Sequence, residues 1–329
     1  MLLNVIPVTI ITGFLGAGKT TLLNQLLQTK SDENVLIIVN EFGDVGVDSD
    51  LVILDDKEMI VQLNSGCMCC ILRQDLAETF FGILSVAEEK NIAIDRIIIE
   101  TSGLAEPSPI AQTILRTPVL NETMSIDSVL TLVDAIHWKQ QLSQFSEANN
   151  QILFADRILI TKSQNITALH LGELNQSIKE INPISDQCVI SGKERFNDLI
   201  GLNLFDQASD SHLLESFISE ISVDQDEHYE HHHHTPVNTF VIETDIVFSE
   251  RQVTRWIAVI VRRYGMRLLR YKGLIQIKGF TNAVIVQGVN MAFQLYKGKE
   301  WQQTPKTKIV FIGDHLPEEK IKSLLFNQK

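Results

Sequence analysis

The sequence predicts an α/β fold, a P-loop NTPase-like domain with a mostly parallel sheet, followed by a smaller C-terminal α+β domain. Three observations carry that expectation. Apolar runs at Val8 to Ile11, Val35 to Val39, Arg96 to Ile99, Val129 to Val133 and Arg157 to Ile160 alternate with stretches of helical periodicity, as strands do when helical crossovers join them. The octapeptide Gly13-Phe14-Leu15-Gly16-Ala17-Gly18-Lys19-Thr20 sits between the first run and a helix-like stretch, the context a phosphate-binding loop requires. From about Gln207 to Pro236 the composition shifts to Asp, Glu, Ser and His, too little apolar material for a core, so this stretch reads as a linker.

Taken in order, Met1 to Ile11 is apolar but has neither a basic leader nor a small-residue cleavage site, so it reads as the first strand rather than a signal peptide. The second strand, Val35 to Val39, runs into the loop Asn40-Glu41-Phe42-Gly43. Leu72, Leu76, Phe80, Ile83, Leu84 and Ala87 recur at helical spacings, which places one apolar stripe of a helix against the sheet. The third run ends in Glu100. A helix from about Thr167 to Ile181 stops at Asn182-Pro183, and a strand follows around Gln187 to Ile190. Beyond the linker, strands are expected at Val237 to Ile246, Leu274 to Ile277, Ala283 to Gln287 and Lys308 to Ile312, with helices at Ser249 to Tyr264 and Pro317 to Asn327. These make a ferredoxin-like α+β unit, and the expected division is 1–205, 206–236 and 237–329.

A chain of 329 residues with a formal net charge of −13 can bury a sizeable core, and its sign disfavours nucleic acid or anionic lipid as a partner. No apolar run is long enough to cross a bilayer. The cytoplasm is the expected setting. Of four cysteines, three fall in the tetrapeptide Cys67-Met68-Cys69-Cys70 and Cys188 stands apart, which is not a disulfide framework.

The glycines of the octapeptide let backbone N–H groups turn inward around phosphates, at the positive end of the following helix. Residues Gly13 to Thr20, with Thr21 beyond them, are the expected nucleotide contacts. Lys19 reaches the outer phosphates, and Thr20 offers its hydroxyl to magnesium. Glu100, at a strand end, is the candidate second carboxylate for that ion. Glu100-Thr-Ser-Gly103 resembles a phosphate-sensing element in which the Gly103 N–H faces the terminal phosphate. For the base, Thr161-Lys162-Ser163-Gln164 keeps the lysine of the Asn-Lys-x-Asp pattern but replaces its acid with Gln164. Ser191-Gly192-Lys193 resembles the loop that completes a base pocket. GTP is expected ahead of ATP.

Three thiols within four residues suit a soft or borderline cation such as zinc, with copper(I), cobalt and nickel left open. Adjacent Cys69 and Cys70 need not face one ion together, so Cys67 with one of them is the safest pair. Glu41 is a candidate outside donor, set against a role as loop acid or magnesium contact. His228 and His231 to His234 offer weak capture of a metal from the linker.

The octapeptide, the Asn-Glu-Phe-Gly loop, Gly66-Cys67-Met68-Cys69-Cys70, Glu100-Thr-Ser-Gly103 and the His-rich linker together resemble the CobW family of P-loop GTPases. The likeness continues through Arg270-Tyr-Lys-Gly273, Val286-Gln-Gly-Val289, Trp301 and Phe311-Ile-Gly313. It implies a GTP-hydrolysing metallochaperone that passes zinc or cobalt to a client metalloprotein. In that reading Cys67 and Cys69 or Cys70 carry the metal, while Lys19, Thr20 and Glu100 serve the nucleotide and magnesium. The C-terminal domain would recognise the client or mediate homo-oligomer formation. Two other classes use the same residues: a P-loop small-molecule kinase, and a nucleotide-binding thiol redox sensor.

Overall fold

The computed structural model describes residues 5–29, 33–40, 51–55, 58–63, 73–202, 237–265, 267–301 and 304–326. The chain forms two compact units, Met1–Asp206 and Gln207–Lys329.

The first unit opens with β1 (Ile6–Gly13), α1 (Lys19–Gln28) and β2 (Val35–Asn40), followed by the hairpin β3 (Leu51–Asp55) and β4 (Glu58–Leu63). Next come α2 (Arg73–Glu89), β5 (Arg96–Glu100), α3 (Ser108–Arg116), α4 (Pro118–Thr123) and β6 (Met124–Asp134). It ends with α5 (Trp138–Gln144), α6 (Ser146–Leu153), β7 (Arg157–Thr161), α7 (Ala168–Ile181), β8 (Asp186–Val189) and the short α8 (Phe196–Leu199). The eight strands lie in the order β3-β4-β2-β5-β1-β6-β7-β8. All pairs are parallel except β3 with β4.

The central strands are buried at nearly every position. All of β5 and the last six residues of β1 are buried, because helices cover a parallel sheet on both faces and leave no side that must be polar. The apolar stripe of α2 is where the periodicity puts it, with Leu76, Phe80, Ile83 and Ala87 buried. Strand β6 starts five residues earlier than its apolar run, at Met124. Its hidden part contains Asp127 and Ser128, both buried, and the Asp127 carboxylate accepts from Thr9 Oγ1 at 2.8 Å and from Ser128 Oγ at 3.1 Å. Helix α7 begins where Thr167 accepts the His170 amide. It ends at buried Asn182, whose carboxamide donates to the carbonyls of Ile152, Leu153 and Ala155.

Functionally, the decisive feature is the placement of β1 between β5 and β6. Registers of Ile11 with Glu100 and Gly13 with Leu132 bring the carboxyl ends of three strands together. Ligands of open α/β sheets bind at such a crevice.

The second unit contains β9 (Val237–Thr244), α9 (Glu250–Tyr264), β10 (Leu268–Ile275), β11 (Asn282–Val289), β12 (Ala292–Glu300), β13 (Thr307–Asp314) and α10 (Glu318–Phe326). Its sheet is antiparallel throughout in the order β12-β11-β10-β13-β9. The α+β class is as expected, and the succession β-α-β-β-β-β-α has a four-strand run where a ferredoxin-like plan interposes a second helix. Helix α9 starts in a reciprocal cap between Ser249 and Gln252. It buries Val253, Trp256, Ile257, Ile260 and Val261 against the sheet, where Phe311 stacks between Phe240 and Tyr271 with centroids at 5.4 and 6.0 Å.

Candidate nucleotide and metal site

Strand β1 delivers the chain into the predicted phosphate loop, which closes on itself through the Ala17 amide to Phe14 carbonyl bond of 3.1 Å. Gly16 and Gly18 hold φ of 75° and 98°, a left-handed backbone that side chains with a Cβ resist. Gly18 caps α1 and, lacking a side chain, makes no cap hydrogen bond to it. First-turn N–H groups, with the helix dipole behind them, are a favourable place for an anion. Thr21 is exposed on that first turn, and Leu15 stands out from the loop, 54% exposed.

The Lys19 side chain folds back over the loop, its ammonium donating to the carbonyl oxygens of Gly13 at 2.8 Å and Phe14 at 3.3 Å. Burial pulls its pKa below the ordinary lysine value, and the facing Glu100 carboxylate opposes that shift. Thr20 Oγ1 donates to Glu100 Oε1 at 2.6 Å. The hydroxyl and carboxylate expected to share a magnesium ion thus meet across 80 residues of sequence. An oxygen pair of this kind fits a hard cation that takes few protein ligands.

The segment after Glu100 is bonded to the end of β1 and packs on the phosphate loop. Thr101 donates its amide to the Ile11 carbonyl at 3.0 Å and its hydroxyl to Thr12 Oγ1 at 2.8 Å. Gly103 lies so close to the phosphate loop that a Cβ there would come within 2.5 Å of Leu15 Cδ2 and 2.7 Å of Leu15 Cα. Only glycine fits.

On the β6 and β7 side, Thr161 Oγ1 lies 2.9 Å from the Ala17 carbonyl, which ties the end of β7 to the phosphate loop. Lys162 takes a left-handed φ of 57° and donates to Asp134 Oδ2 at 2.7 Å. Asp134 also accepts from the Ile136 amide at 2.8 Å and from His137 Nδ1 at 2.9 Å. Burial alone would push its carboxyl up. The bonds from Lys162, His137 and Ile136 outweigh burial and hold it below the usual carboxylate range. Gln164 is exposed in the turn Ser163–Asn165. The Ser191 and Gly192 amides donate to the Glu194 carboxylate at 2.6 and 3.0 Å, and Gln25 Nε2 of α1 donates to the Glu194 carbonyl at 3.0 Å. The candidate base loop is therefore fastened to the helix that starts at the phosphate loop.

The fold thus gathers Gly13 to Thr20, Glu100, Gly103 and Lys162 at one end of the sheet. Cys67, Cys69, Cys70 and Glu41, with His228 and His231 to His234, lie outside the described residues. Among the described residues no group of three or more His, Cys, Asp or Glu side chains is placed to hold a metal, and no helix is long and apolar enough to cross a membrane. Sequence reasoning missed Asp134, although it ends the run Val129 to Val133 just as Glu100 ends its own run. It also missed Phe145, whose ring packs on Phe14 with centroids 4.6 Å apart.

Comparison with known proteins agrees with this architecture in both units. Residues 7–188 match the family described as CobW/HypB/UreG, nucleotide-binding domain, and residues 237–328 match the cobalamin synthesis protein cobW C-terminal domain. The zinc chaperone YjiA of Escherichia coli is 34% identical over 322 residues, 98% of each chain. The zinc chaperone CobW of Pseudomonas aeruginosa is 28% identical over 97% of this chain and 90% of its own length. The zinc-regulated GTPase metalloprotein activator 1 of Saccharomyces cerevisiae is 27% identical over 97% and 82%. The crystal structure of Zn(II)-bound YjiA GTPase superposes over 99% of both chains with a TM-score of 0.71 at 29% identity. The sheet order, the phosphate loop and these matches lead to one assignment: the chain belongs to the CobW/HypB/UreG family of nucleotide-binding proteins and carries the CobW C-terminal domain.

Proposed function

We propose that this protein is a GTP-hydrolysing zinc chaperone, in which a triphosphate on the Gly13 to Thr20 loop controls the capture and release of a metal at Cys67-Met68-Cys69-Cys70 for delivery to a client protein. The observation that carries the nucleotide half is the 2.6 Å bond between Thr20 and Glu100, set beside buried Lys19. The metal half rests on the thiol cluster and on relatives whose names describe zinc chaperones and a zinc-regulated GTPase.

Each residue has a stated part. The first-turn amides of α1 bind phosphate oxygens, and the Lys19 ammonium leaves its carbonyl partners for the outer phosphates. Thr20 and Glu100 would hold magnesium, which when bound neutralises charge on the transferring phosphoryl group. The Gly103 N–H contacts the terminal phosphate. Lys162, pinned by Asp134, lays its aliphatic stem along the base, and Gln164 meets the base edge. Zinc is cargo, taken by Cys67 and Cys69 or Cys70 with Glu41 as an outside donor; cobalt and nickel are competing cargoes. The client is a metalloprotein, and the C-terminal unit recognises it or joins copies of this chain. The proposed setting is the cytoplasm, where thiols are kept reduced and free to bind a metal.

Reduced protein given GTP and magnesium is expected to release inorganic phosphate without any added acceptor, and to bind zinc stoichiometrically through the cysteine cluster. Phosphate that appears only on an added metabolite would instead make the protein a kinase. Disulfide formation under mild oxidant, with no stoichiometric zinc in the reduced form, would make it a redox sensor.

A further inference from the structure

The loop that follows β5 is held from two sides. Leu15 of the phosphate loop presses against Gly103 on one side. On the other, two consecutive residues of α6 reach across: Asn150 Nδ2 donates to Glu106 Oε1 at 2.6 Å, and Gln151 Nε2 donates to the carbonyls of Gly103 at 3.1 Å and Ala105 at 3.0 Å. Helix α6 is itself fixed to the sheet, since Thr131 Oγ1 of β6 donates to the Gln151 carbonyl at 2.9 Å. It also leads back to the phosphate loop, because Phe145, the residue before it, packs on Phe14.

The Gln151 side chain is 1% exposed, and its two carbonyl acceptors settle which end of the carboxamide faces the loop. Its Oε1 is left buried with no hydrogen-bond partner among the described residues, and so is the Oγ of Ser102, next to Gly103. Asn182 shows what a structural amide does on the same helix. It donates to the carbonyls of Ile152 and Leu153 at the end of α6 and of Ala155 just beyond it, and its Oδ1 accepts the Ile184 amide at 3.3 Å. Buried polar groups left unsatisfied are uncommon and call for an explanation specific to their place. At Gln151 both donors are committed to one short segment, while the acceptor is held in reserve.

On the reading of Gly103 as the contact to the terminal phosphate, we infer that Asn150 and Gln151 are positioning residues for that contact, gripping the loop carbonyls so that the Gly103 N–H is set for a triphosphate. In this role they act through the loop carbonyls and not on the nucleotide itself. Their effect is on discrimination: the protein recognises the terminal phosphate only as well as the loop is held.

The test compares a non-hydrolysable GTP analogue with GDP on the full-length protein, by calorimetry, alongside GTP turnover. Gln151→Met keeps length and apolar packing but removes both donors and the acceptor. It is expected to cut the analogue-to-GDP affinity ratio about tenfold and to raise KM for GTP in step with the weakened triphosphate binding, while GDP affinity stays at the wild-type value. Asn150→Ala releases only Glu106 and is expected to move the ratio in the same direction by less. Asn182→Ala, the structural control, is expected to lower the unfolding temperature and leave the ratio alone. If Gln151→Met does not fold, Asn150→Ala decides the matter. A wild-type ratio in every folded clamp variant, or an equal change in Asn182→Ala, overturns the assignment. Wild-type protein that binds analogue and GDP equally would instead remove Gly103 as the sensor, a distinct result read before any variant is made.

Discussion

Lys19 and Gln164 show how differently two residues of one site constrain its chemistry. Lys19 is buried and bonded to carbonyls of its own loop, so its charge is already in place where the outer phosphates bind. Lys19→Ala removes the only side-chain cation of the loop. GTP hydrolysis is expected to fall by roughly a hundredfold or more, measured as released phosphate. Gln164 stands where the Asn-Lys-x-Asp pattern has an acid that accepts two N–H groups from guanine. An amide presents one acceptor and one donor, so it matches the guanine edge less well and tolerates adenine better. Gln164→Asp is therefore expected to raise the preference for GTP over ATP by about tenfold or more, the order of one good bidentate contact. Competition binding with both triphosphates checks it, and an unchanged ratio would place base selection elsewhere in the pocket.

At the scale of elements, Asp134 at the end of β6 joins the Lys162 turn to the start of α5 through four hydrogen bonds. Asp134→Asn is expected to cost about 2 kcal/mol near neutral pH, as loss of a buried charge-assisted network does. The sign with pH follows from its depressed pKa. The carboxylate contributes fully above the unfolded value, and its contribution is lost as pH falls through the lower folded value. Urea unfolding of both proteins should show the gap closing below about pH 4. A gap independent of pH would mean that packing, not charge, makes Asp134 valuable. The same elements show what can be read without coordinates. Strands β1, β2, β5 and β7 were legible because burial on both faces leaves continuous apolar runs. The first half of β6 was not, since its polar pair is satisfied inside the fold: Asp127 accepts from Thr9 on another strand and from Ser128 beside it. Strand β12, Ala292–Glu300, sits at a sheet edge and carries Gln294, Lys297 and Gly298, a composition that hides a strand. Helices α5 and α6 are short and separated by Phe145 alone. The phosphate loop was legible because its chemistry is local in sequence. Asp134 and Gln151 were not, because the partners that tie them to the site, Lys162 and Gly103, lie 28 and 48 residues away.

For the molecule as a whole, the proposal requires that one chain's two ligands sense each other. Strand β2 carries the chain out of the sheet at Asn40, toward Glu41, and α2 leads from the cysteine segment back to β5 and Glu100. Glu41 thus follows β2, the neighbour of β5, and the cysteines fall between β4 and α2, whose chain runs on into β5 at the nucleotide crevice. A ligand moves an equilibrium only through a difference in its affinity for two states. Zinc should accordingly bind more tightly with a non-hydrolysable GTP analogue than with GDP, by a factor of roughly 5 to 150, the usual range of coupling between sites. Linkage fixes the converse: zinc must tighten the analogue by the same factor. Competition titrations with a zinc chelator, run with each nucleotide, and nucleotide titrations run with and without zinc, measure both legs. Cys67→Ser should abolish the coupling on both legs together while leaving nucleotide binding in the absence of zinc unchanged, because Cys67 belongs to the metal set and not to the phosphate loop. Equal zinc affinity in the two nucleotide states would leave a GTPase and a metal-binding segment sharing a chain without sharing a mechanism.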